Sequence, residues 1–316
     1  MPYPHPRGRP RAVPSTSDSA LRAAALGWRP YLSIDAAPHP ARVQNHLLGG
    51  SASWTLDRDW CTAAAAVLPS LRPVYRAELR FLVRALRTVR DAGIRRFLVF
   101  GDTGPYLNPA VDLVLRTEGS RLVYAAHDEW LLRHWGNFAN RHPAITAVPG
   151  VFILPGTVLF TDAAQTLLSG EPVCLVLASA LETITSTPAA AAALRAYTDR
   201  LPAGSVVVAT HATTDGLDLD DPDDHDLATR MAAVCEGGKG PRARPPRRTR
   251  TRQELARIAA PLAPLDPGIV HTDDWRPSRP RPRPAHSLCL ALLVPVRRPD
   301  TADHTTDPHD KKAGRP

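Results

Sequence analysis

An apolar segment that runs directly into a glycine-rich turn is the part of the sequence best suited to chemistry. The stretch FLVFGDTG begins at Phe97 and ends in Gly101, Asp102, Thr103 and Gly104. Turns of this kind follow strands in nucleotide-binding folds, because glycine lets the backbone approach a ligand and the next helix directs its N–H groups toward it. We therefore expect a ligand site at the end of a buried strand.

The same residues allow a second interpretation, because Asp-Thr-Gly after an apolar strand also occurs in aspartic proteases. Those enzymes need two aspartates that share one proton. The sequence has no second element like Asp102–Gly104, so a protease of this kind would have to form a homodimer. The helical pattern after the turn and the α/β pattern around it favour the nucleotide-binding interpretation.

The elements that must hold this turn alternate between strand and helix patterns, which predicts an α/β fold with a mostly parallel central sheet flanked by helices. Continuous apolar runs are typical of parallel strands that are covered on both faces. The strand candidates are Arg96–Phe100, Arg121–Ala126, Pro172–Ala180, Ser205–His211 and Leu288–Val296.

Helical patterns separate these strands. Apolar residues recur at helical spacing within Asp57–Gly93, where Pro69 and Pro73 divide the segment, so two helices should precede the first strand. Further helices are predicted within Asn108–Gly119 and Thr187–Gly204, each of which has a proline near its start and a glycine at its end.

Composition limits the chain to one substantial core with extended ends. It has 316 residues, of which 43% are hydrophobic. Its 33 prolines concentrate near the termini and around residues 241–284, where they disfavour regular hydrogen bonding. We expect a disordered Pro/Arg-rich tail over residues 1–28, one domain over residues 29–296 and a disordered tail over residues 297–316.

The charged segments are predicted to lie in solvent. The formal net charge is +8, and arginines cluster with proline in a loop that we place at residues 237–250. No aromatic residues are interleaved there to stack on bases, so nucleic-acid binding is not the favoured interpretation, although the basic segments leave it open. Residues 215–226 hold seven aspartates without the order of a calcium loop and are interpreted as an exposed acidic loop.

Location and cysteine use complete the general description. No apolar run reaches the roughly 18 residues that a membrane span requires, and no apolar segment of a signal peptide follows the basic start, so we expect a cytoplasmic protein. The four cysteines are far apart and form no Cys-x-x-Cys pair, which predicts buried free thiols and no metal site. They are Cys61, Cys174, Cys235 and Cys289.

Several segments together resemble a family of S-adenosylmethionine-dependent methyltransferases that open with a motif close to HPARVYDYLLGG. His39–Gly50 reads HPARVQNHLLGG, and the resemblance extends over roughly residues 31 to 295. The segments that carry it further are FLVFGDTG from Phe97, RLVYAAHD from Arg121, PVCLVLASALE from Pro172, SVVVATHAT from Ser205, RTRQELARI from Arg250, PGIV from Pro267 and WRP from Trp275.

The resemblance implies a class I, Rossmann-like methyltransferase fold with an N-terminal helical extension over the cofactor cleft. In such sheets the ligand lies at the carboxyl ends of the strands. The cofactor-binding residues implied for S-adenosylmethionine are Gly101, Asp102, Thr103, Gly104, His127, Asp128, Arg42, Gly49 and Gly50. For Arg42 a surface ion pair is the alternative, and for the two glycines of the opening motif it is a structural turn.

This chain departs from the family pattern where acidic residues are expected. Val99 stands in place of an aspartate in the first strand, Ala126 in place of the carboxylate that binds ribose, and Val151 in place of an acid that helps to hold adenine. Each loss removes a charge-assisted hydrogen bond worth about 1.5 to 3 kcal/mol. Two functions therefore remain: methyl transfer to an unidentified small molecule, or a catalytically inactive domain that binds or regulates a partner.

No catalytic base is predicted, because methyl transfer depends mainly on placing the acceptor in line with the sulfonium. Three residues are candidates for orienting that acceptor. His39 belongs to the opening motif, while Glu182 and His211 follow or end predicted strands and should face the ligand crevice.

Overall fold

A mostly parallel sheet with helices on both faces forms the centre of the molecule. The computed structural model describes residues 22–23, 25–26, 37–237, 246–260, 262, 264–277 and 289–295. Within this part of the chain the strands are β1 (Arg96–Gly101), β2 (Arg121–Ala126), β3 (Ile145–Pro149), β4 (Val173–Ala178), β5 (Val206–Ala212), β6 (Val270–His271) and β7 (Cys289–Pro295).

The seven strands lie in the order β3-β2-β1-β4-β5-β7-β6. Strands β1 to β5 are parallel, whereas β7 is antiparallel to both of its neighbours. All five predicted strands are confirmed within one or two residues at each end. The sequence patterns missed the edge strand β3, which alternates between buried and exposed residues, and the two-residue strand β6.

Helices and one 3₁₀ turn accompany the sheet in the described ranges between residues 37 and 295. The α-helices are α1 (Pro40–Leu47), α2 (Thr55–Val67), α3 (Leu71–Asp91), α4 (Pro109–Leu115), α5 (Glu129–Ala139), α6 (Gly156–Leu159), α7 (Asp162–Leu167), α8 (Thr187–Thr198), α9 (Pro222–Cys235) and α10 (Arg252–Ala259), and a 3₁₀ turn covers Ala180–Thr183. None of these helices combines the length and apolar character that a bilayer crossing requires.

Two hydrophobic clusters cover the two faces of the sheet. Side chains alternate along β1, so Leu98 and Phe100 join one cluster while Phe97 and Val99 join the other. This double burial explains the continuous apolar run that predicted a parallel strand. All four cysteines are buried with free thiols, as predicted.

The two helices predicted ahead of β1 within Asp57–Gly93 are confirmed as α2 and α3, and α1 precedes them. The division between α2 and α3 falls near Pro69, as expected, but Pro73 lies in the first turn of α3, where its missing N–H is tolerated. A third apolar cluster packs these helices against α9 and the end of β5, through Leu47, Cys61, Leu68, Ala212 and Met231. The helical extension therefore covers the carboxyl edge of the sheet.

The predicted acidic loop is wrong in its second half, because α9 begins at Pro222. Asp221 caps this helix by accepting hydrogen bonds from the backbone N–H groups of Asp223 and Asp224. Carboxylates in the first turn are also stabilised by the helix dipole. The tails predicted to be disordered, residues 1–28 and 297–316, lie outside the described residues apart from residues 22–23 and 25–26.

Gly101 lies at the carboxyl end of β1, in close contact with β4. It is paired with Ala178 and has a φ of 144°, which side chains rarely adopt. A Cβ atom at this position would lie 2.5 Å from the carbonyl oxygen of Ala178. Any other residue would have to push the two central strands apart.

We predict that Gly101→Ala lowers the free energy of unfolding by at least about 2 kcal/mol, because overpacking and backbone strain each cost about 1–3 kcal/mol. Gly136→Ala is the matched control, since a Cβ there meets nothing within 4 Å and lies inside α5. We expect that variant to be unchanged or stabilised by up to about 1 kcal/mol. Urea unfolding of both variants provides the measurement, and equal midpoints would contradict the prediction.

Candidate functional site

A cleft opens at the carboxyl ends of β1 and β2, beside the 3₁₀ turn that follows β4. We call it the strand-end cleft. The volume of the cleft, including the part that is open to solvent, is about 660 Å³. Its lining includes Gly101, Asp102, Ala126, His127, Val151 and Thr183. Gly101 and Asp102 of the glycine turn thus meet the end of β2 and the segment after β3 in this cleft, whereas Thr103 and Gly104 line a separate cavity.

Two aromatic side chains donate hydrogen bonds to the backbone of the glycine turn. The hydroxyl of Tyr124 donates to the carbonyl oxygen of Gly101, and Trp135 donates from Nε1 to the carbonyl oxygen of Thr103 at 2.9 Å. The two rings stack with centroids 4.0 Å apart. Asn108 adds a hydrogen bond to the Thr103 hydroxyl at 3.0 Å. The turn is therefore fixed in shape before any ligand arrives.

The end of β2 presents one small and two polar residues. Ala126 is buried and lines the cleft, and burial lowers the pKa of the half-buried His127. Asp128 caps α5 through the N–H of Leu131 at 2.7 Å and lies 3.1 Å from Nε2 of His39. Although burial opposes its ionisation, the hydrogen bond and charge of His39 hold the pKa of Asp128 below its usual range.

The three positions that lack the expected acids are apolar and buried. Val99 is 1% exposed, Ala126 is 6% exposed and Val151 is 3% exposed. Ala126 and Val151 line the strand-end cleft, whereas Val99 packs in the cluster on one face of the sheet. The walls of the cleft are thus made of small or aliphatic groups and leave the space open.

Arg42 of the opening motif makes a fully buried ion pair. Its Nε lies 2.6 Å from Oδ2 of Asp57, and neither side chain is exposed. Asp57 also accepts the backbone N–H groups of His39 at 2.9 Å and Trp54 at 2.8 Å. The indole ring of Trp54 stacks under the guanidinium at 3.8 Å. The pair is therefore not at the surface, and it ties α1 to the start of α2.

The two glycines of the motif end α1 and turn the chain. Gly49 has a φ of +94°, which favours glycine, and a Cβ at Gly50 would lie 2.4 Å from Oδ1 of Asn45. That oxygen accepts the backbone N–H of Ala52 at 2.8 Å. Both glycines have structural reasons for their identity, in agreement with the alternative of a turn.

A second cavity lies on the other side of the 3₁₀ turn, between α3, α9 and the end of β5. We call it the carboxylate cavity. Its volume, including the part that is open to solvent, is about 510 Å³. Its lining includes Tyr75, Glu78, Ser179, Glu182, Cys235 and Arg247. Glu182 was expected to face the ligand crevice, but it lines the carboxylate cavity and not the strand-end cleft.

Arg247 joins the two cavities by an ion pair to each. Its guanidinium lies 2.8 Å from Oε2 of Glu182 and 3.1 Å from Oδ2 of Asp102, and the side chain is 12% exposed. The neighbouring Arg250 is 2% exposed and bonds to the carbonyl oxygen of Leu181. Residues 246–250 form neither helix nor strand, but the prediction that they are solvated is wrong for Arg247 and Arg250, because carboxylates and a backbone carbonyl hold these two side chains.

The two carboxyl groups of the cavity are shifted in opposite directions. Burial, followed by the charge of Glu182, raises the pKa of Glu78. Burial also opposes ionisation of Glu182, but the charge and the hydrogen bond of Arg247 hold its pKa below the usual range. Environments that separate two carboxyl groups in this way are typical of sites that handle protons.

Sequence reasoning missed both Glu78 and Arg247. Glu78 lies on the buried face of α3 beside Ala77 and Phe81, so a lone acid on an apolar helical face was the available signal. Arg247 had no comparable signal, because its partners lie 65 and 145 residues away in the chain.

His211 is enclosed instead of facing the strand-end cleft. It is 1% exposed and lines neither that cleft nor the carboxylate cavity. Its Nε2 lies 2.8 Å from Arg250 and its Nδ1 lies 2.8 Å from the carbonyl oxygen of Ala212, so Nδ1 carries the proton and the ring is neutral. Burial lowers the pKa of His211 to about 4, against the opposing charge of Glu182.

We predict that protonation of His211 destabilises the protein in mild acid. The folded pKa lies below the ordinary value of 6.5, so the unfolded chain takes up the proton first and stability falls as the pH drops through this interval. Wild type should lose about 2 kcal/mol more than His211→Gln between about pH 7 and about pH 5. Urea unfolding at both pH values measures this difference, and equal losses would contradict the assignment.

Comparison with known proteins identifies the family and the fold of the chain. The sequence model of a family described as S-adenosyl methyltransferase matches residues 30–296. No curated protein matches the chain.

Two solved structures are similar over most of the chain. A candidate methyltransferase from Thermobifida fusca YX is 24% identical with a TM-score of 0.70, over 84% of this chain and 97% of that protein. A DUF574 family protein from Streptomyces avermitilis MA-4680 is 22% identical with a TM-score of 0.68, over 83% and 98% respectively. At these identities the likeness shows the shared Rossmann-like fold. Because the family match spans well over half of the chain, the protein belongs to the S-adenosyl methyltransferase family, for which S-adenosylmethionine is the methyl donor.

Proposed function

We propose that this protein transfers a methyl group from S-adenosylmethionine to a small-molecule acceptor, and that the strand-end cleft is the donor site. The observation that supports the donor site most directly is its position. The strand order reverses between β1 and β4, and open α/β sheets bind ligands at the carboxyl ends of the strands beside such a reversal.

The residues of the cleft fit an adenosyl group. Small residues at Gly101, Ala125 and Ala126 leave room against the backbone, while Val151 and Phe152 offer apolar surface to a purine. Polar groups stand around the opening, as Asp102, His127 and Thr183 do. Such a combination of apolar walls with a few polar groups is typical of sites for cofactors.

The roles proposed for individual residues follow from their contacts. Gly101, Asp102 and the pair His127–Asp128 border the donor directly, while Thr103 and Gly104 support the turn from outside the cleft. Arg42, Gly49 and Gly50 act indirectly, because they hold α1 and the turn after it in place. His39 does the same by joining the start of α1 to Asp128. When bound, S-adenosylmethionine supplies an electrophilic methyl carbon, and these residues hold the donor in position.

The alternative of a catalytically inactive binding domain finds no support in the shape of the site. A donor site that has lost its function is expected to fill with bulky side chains. Instead, the residues that replace acids around the cleft are Ala126 and Val151, and neither fills it.

A small acceptor is favoured over nucleic acid by the state of the basic segment. Arg247 and Arg248 form ion pairs with Glu182 and Glu254, and Arg250 is buried. These cations are therefore not available for phosphate contacts. A cytoplasmic location, where small metabolites are at hand, remains a prediction from the sequence.

We predict that restoring the missing carboxylate strengthens donor binding. Ala126→Asp should lower the Kd for S-adenosylhomocysteine by about tenfold, because a charge-assisted hydrogen bond to the ribose is worth about 1.5 to 3 kcal/mol. Ala126→Asn matches the size of the new side chain without its charge, so we expect a smaller gain. Isothermal titration of wild type and both variants measures the three affinities.

Two results would contradict this proposal. One is the absence of any heat or thermal shift for wild type and for Ala126→Asp at millimolar S-adenosylhomocysteine. The other is equal affinity in all three proteins, which would place the ligand away from the end of β2.

A further inference from the structure

The carboxylate cavity has no role in donor binding, and its lining is chemically specific. Apolar side chains from α3 and α9 form much of the wall, including Leu71, Val74 and Met231. Against them stand the carboxyl groups of Glu78 and Glu182. A cavity with an apolar wall and a carboxyl group at one side suits a molecule with an apolar body and a hydrogen-bonding head.

Glu78 offers one oxygen to this space. The residue is 4% exposed, and its Oε1 accepts the hydroxyl groups of Ser179 at 2.9 Å and Thr210 at 2.5 Å. The part of the chain that the structure describes supplies no hydrogen bond to Oε2. Because Glu78 lines the cavity, a ligand there that brings a hydrogen-bond donor can bind this second oxygen.

The charges around the cavity favour a cationic head. Glu182 is neutralised by Arg247 at 2.8 Å and accepts the backbone N–H of Ala212 at 2.8 Å. The second ion pair of Arg247 goes to Asp102, so Glu78 makes no ion pair among the described residues. A positive group beside Glu78 would offset the burial and the charge of Glu182, which both oppose its ionisation.

The two cavities share one wall. Ser179 and Glu182 line the carboxylate cavity, whereas Ala180 and Thr183 line the strand-end cleft. Successive residues of the 3₁₀ turn therefore face opposite sides. Arg247 spans the same boundary through Asp102 and Glu182. A molecule in the carboxylate cavity would thus lie next to the donor site without occupying it.

We propose that the carboxylate cavity is a binding site for a small amine with an apolar substituent, whose nitrogen is bound by Glu78. The ammonium form enters as the counter-ion of Glu78, and its apolar substituent lies against the wall that α3 and α9 form.

The test compares probes that share a body and differ in the head. Hexylamine, hexanol and hexanoate are titrated calorimetrically into the full-length protein, with and without S-adenosylhomocysteine. We expect hexylamine to bind at least about tenfold more tightly than hexanol, since a charge-assisted contact is replaced by a neutral one, and hexanoate to bind most weakly.

Variants assign the effect to Glu78. Glu78→Gln should weaken hexylamine by at least about tenfold and change hexanol by less than about twofold. Glu118→Gln is the control. It alters an exposed carboxylate between α4 and β2 and should change the affinity for neither hexylamine nor hexanol. If Glu78→Gln does not fold, Val74→Phe takes its place. Val74 is half-buried and lines the cavity, so phenylalanine there should fill the space and abolish hexylamine binding while Glu78 is retained.

The outcomes separate this inference from the proposed function. Binding of S-adenosylhomocysteine together with equal affinity for hexylamine and hexanol would overturn the amine site alone. Unchanged hexylamine affinity in Glu78→Gln, or in Val74→Phe where the first variant does not fold, would also overturn it. A preference for hexylamine without any binding of S-adenosylhomocysteine would instead overturn the proposed donor site.

Discussion

The close approach of β1 and β4 at their carboxyl ends is the constraint on which the rest of the structure depends. Gly101 fits against the carbonyl oxygen of Ala178 because it has no side chain. The turn after β1 borders the strand-end cleft, and the turn after β4 lies between that cleft and the carboxylate cavity. Both cavities therefore owe their position to one backbone contact.

Electrostatics joins the two cavities across this boundary. Arg247 reaches Asp102 on the glycine turn and Glu182 on the 3₁₀ turn, and so compensates two carboxylates that come from different strands. Glu78 lies beyond its direct contacts and keeps a raised pKa through burial. In the carboxylate cavity, Glu182 is therefore ionised and paired with Arg247, whereas Glu78 is a carboxyl group that can exchange a proton with a ligand.

Much of the fold could be predicted from the sequence, because strands buried on both faces have continuous apolar runs. Phe97–Phe100 shows this in β1, and Asn108 with Pro109 marked the start of α4. The edge strand β3 escaped prediction because solvent on one side leaves it without such a run. Its neighbour α5 was also missed, although Asp128 is a typical capping residue.

The site was predicted less completely, and the reason lies in long-range contacts. The glycine turn and the end of β2 are local features, so Gly101 and Ala126 were placed beside the cleft from their positions after predicted strands. The arginines of residues 246–250 looked like solvated chain, since proline and charge together are typical of linkers. Arg247 contacts Glu182 and Asp102 only in the folded chain, and no spacing in the sequence predicts these contacts.

A crystal structure of the full chain with S-adenosylhomocysteine tests the central claim most directly, because it locates the donor site itself. We predict that the adenosyl group lies in the strand-end cleft, in contact with Gly101, Ala126 and Val151, and leaves the carboxylate cavity open. Density for the ligand in the carboxylate cavity, or a strand-end cleft that holds only solvent at saturating ligand, would contradict it.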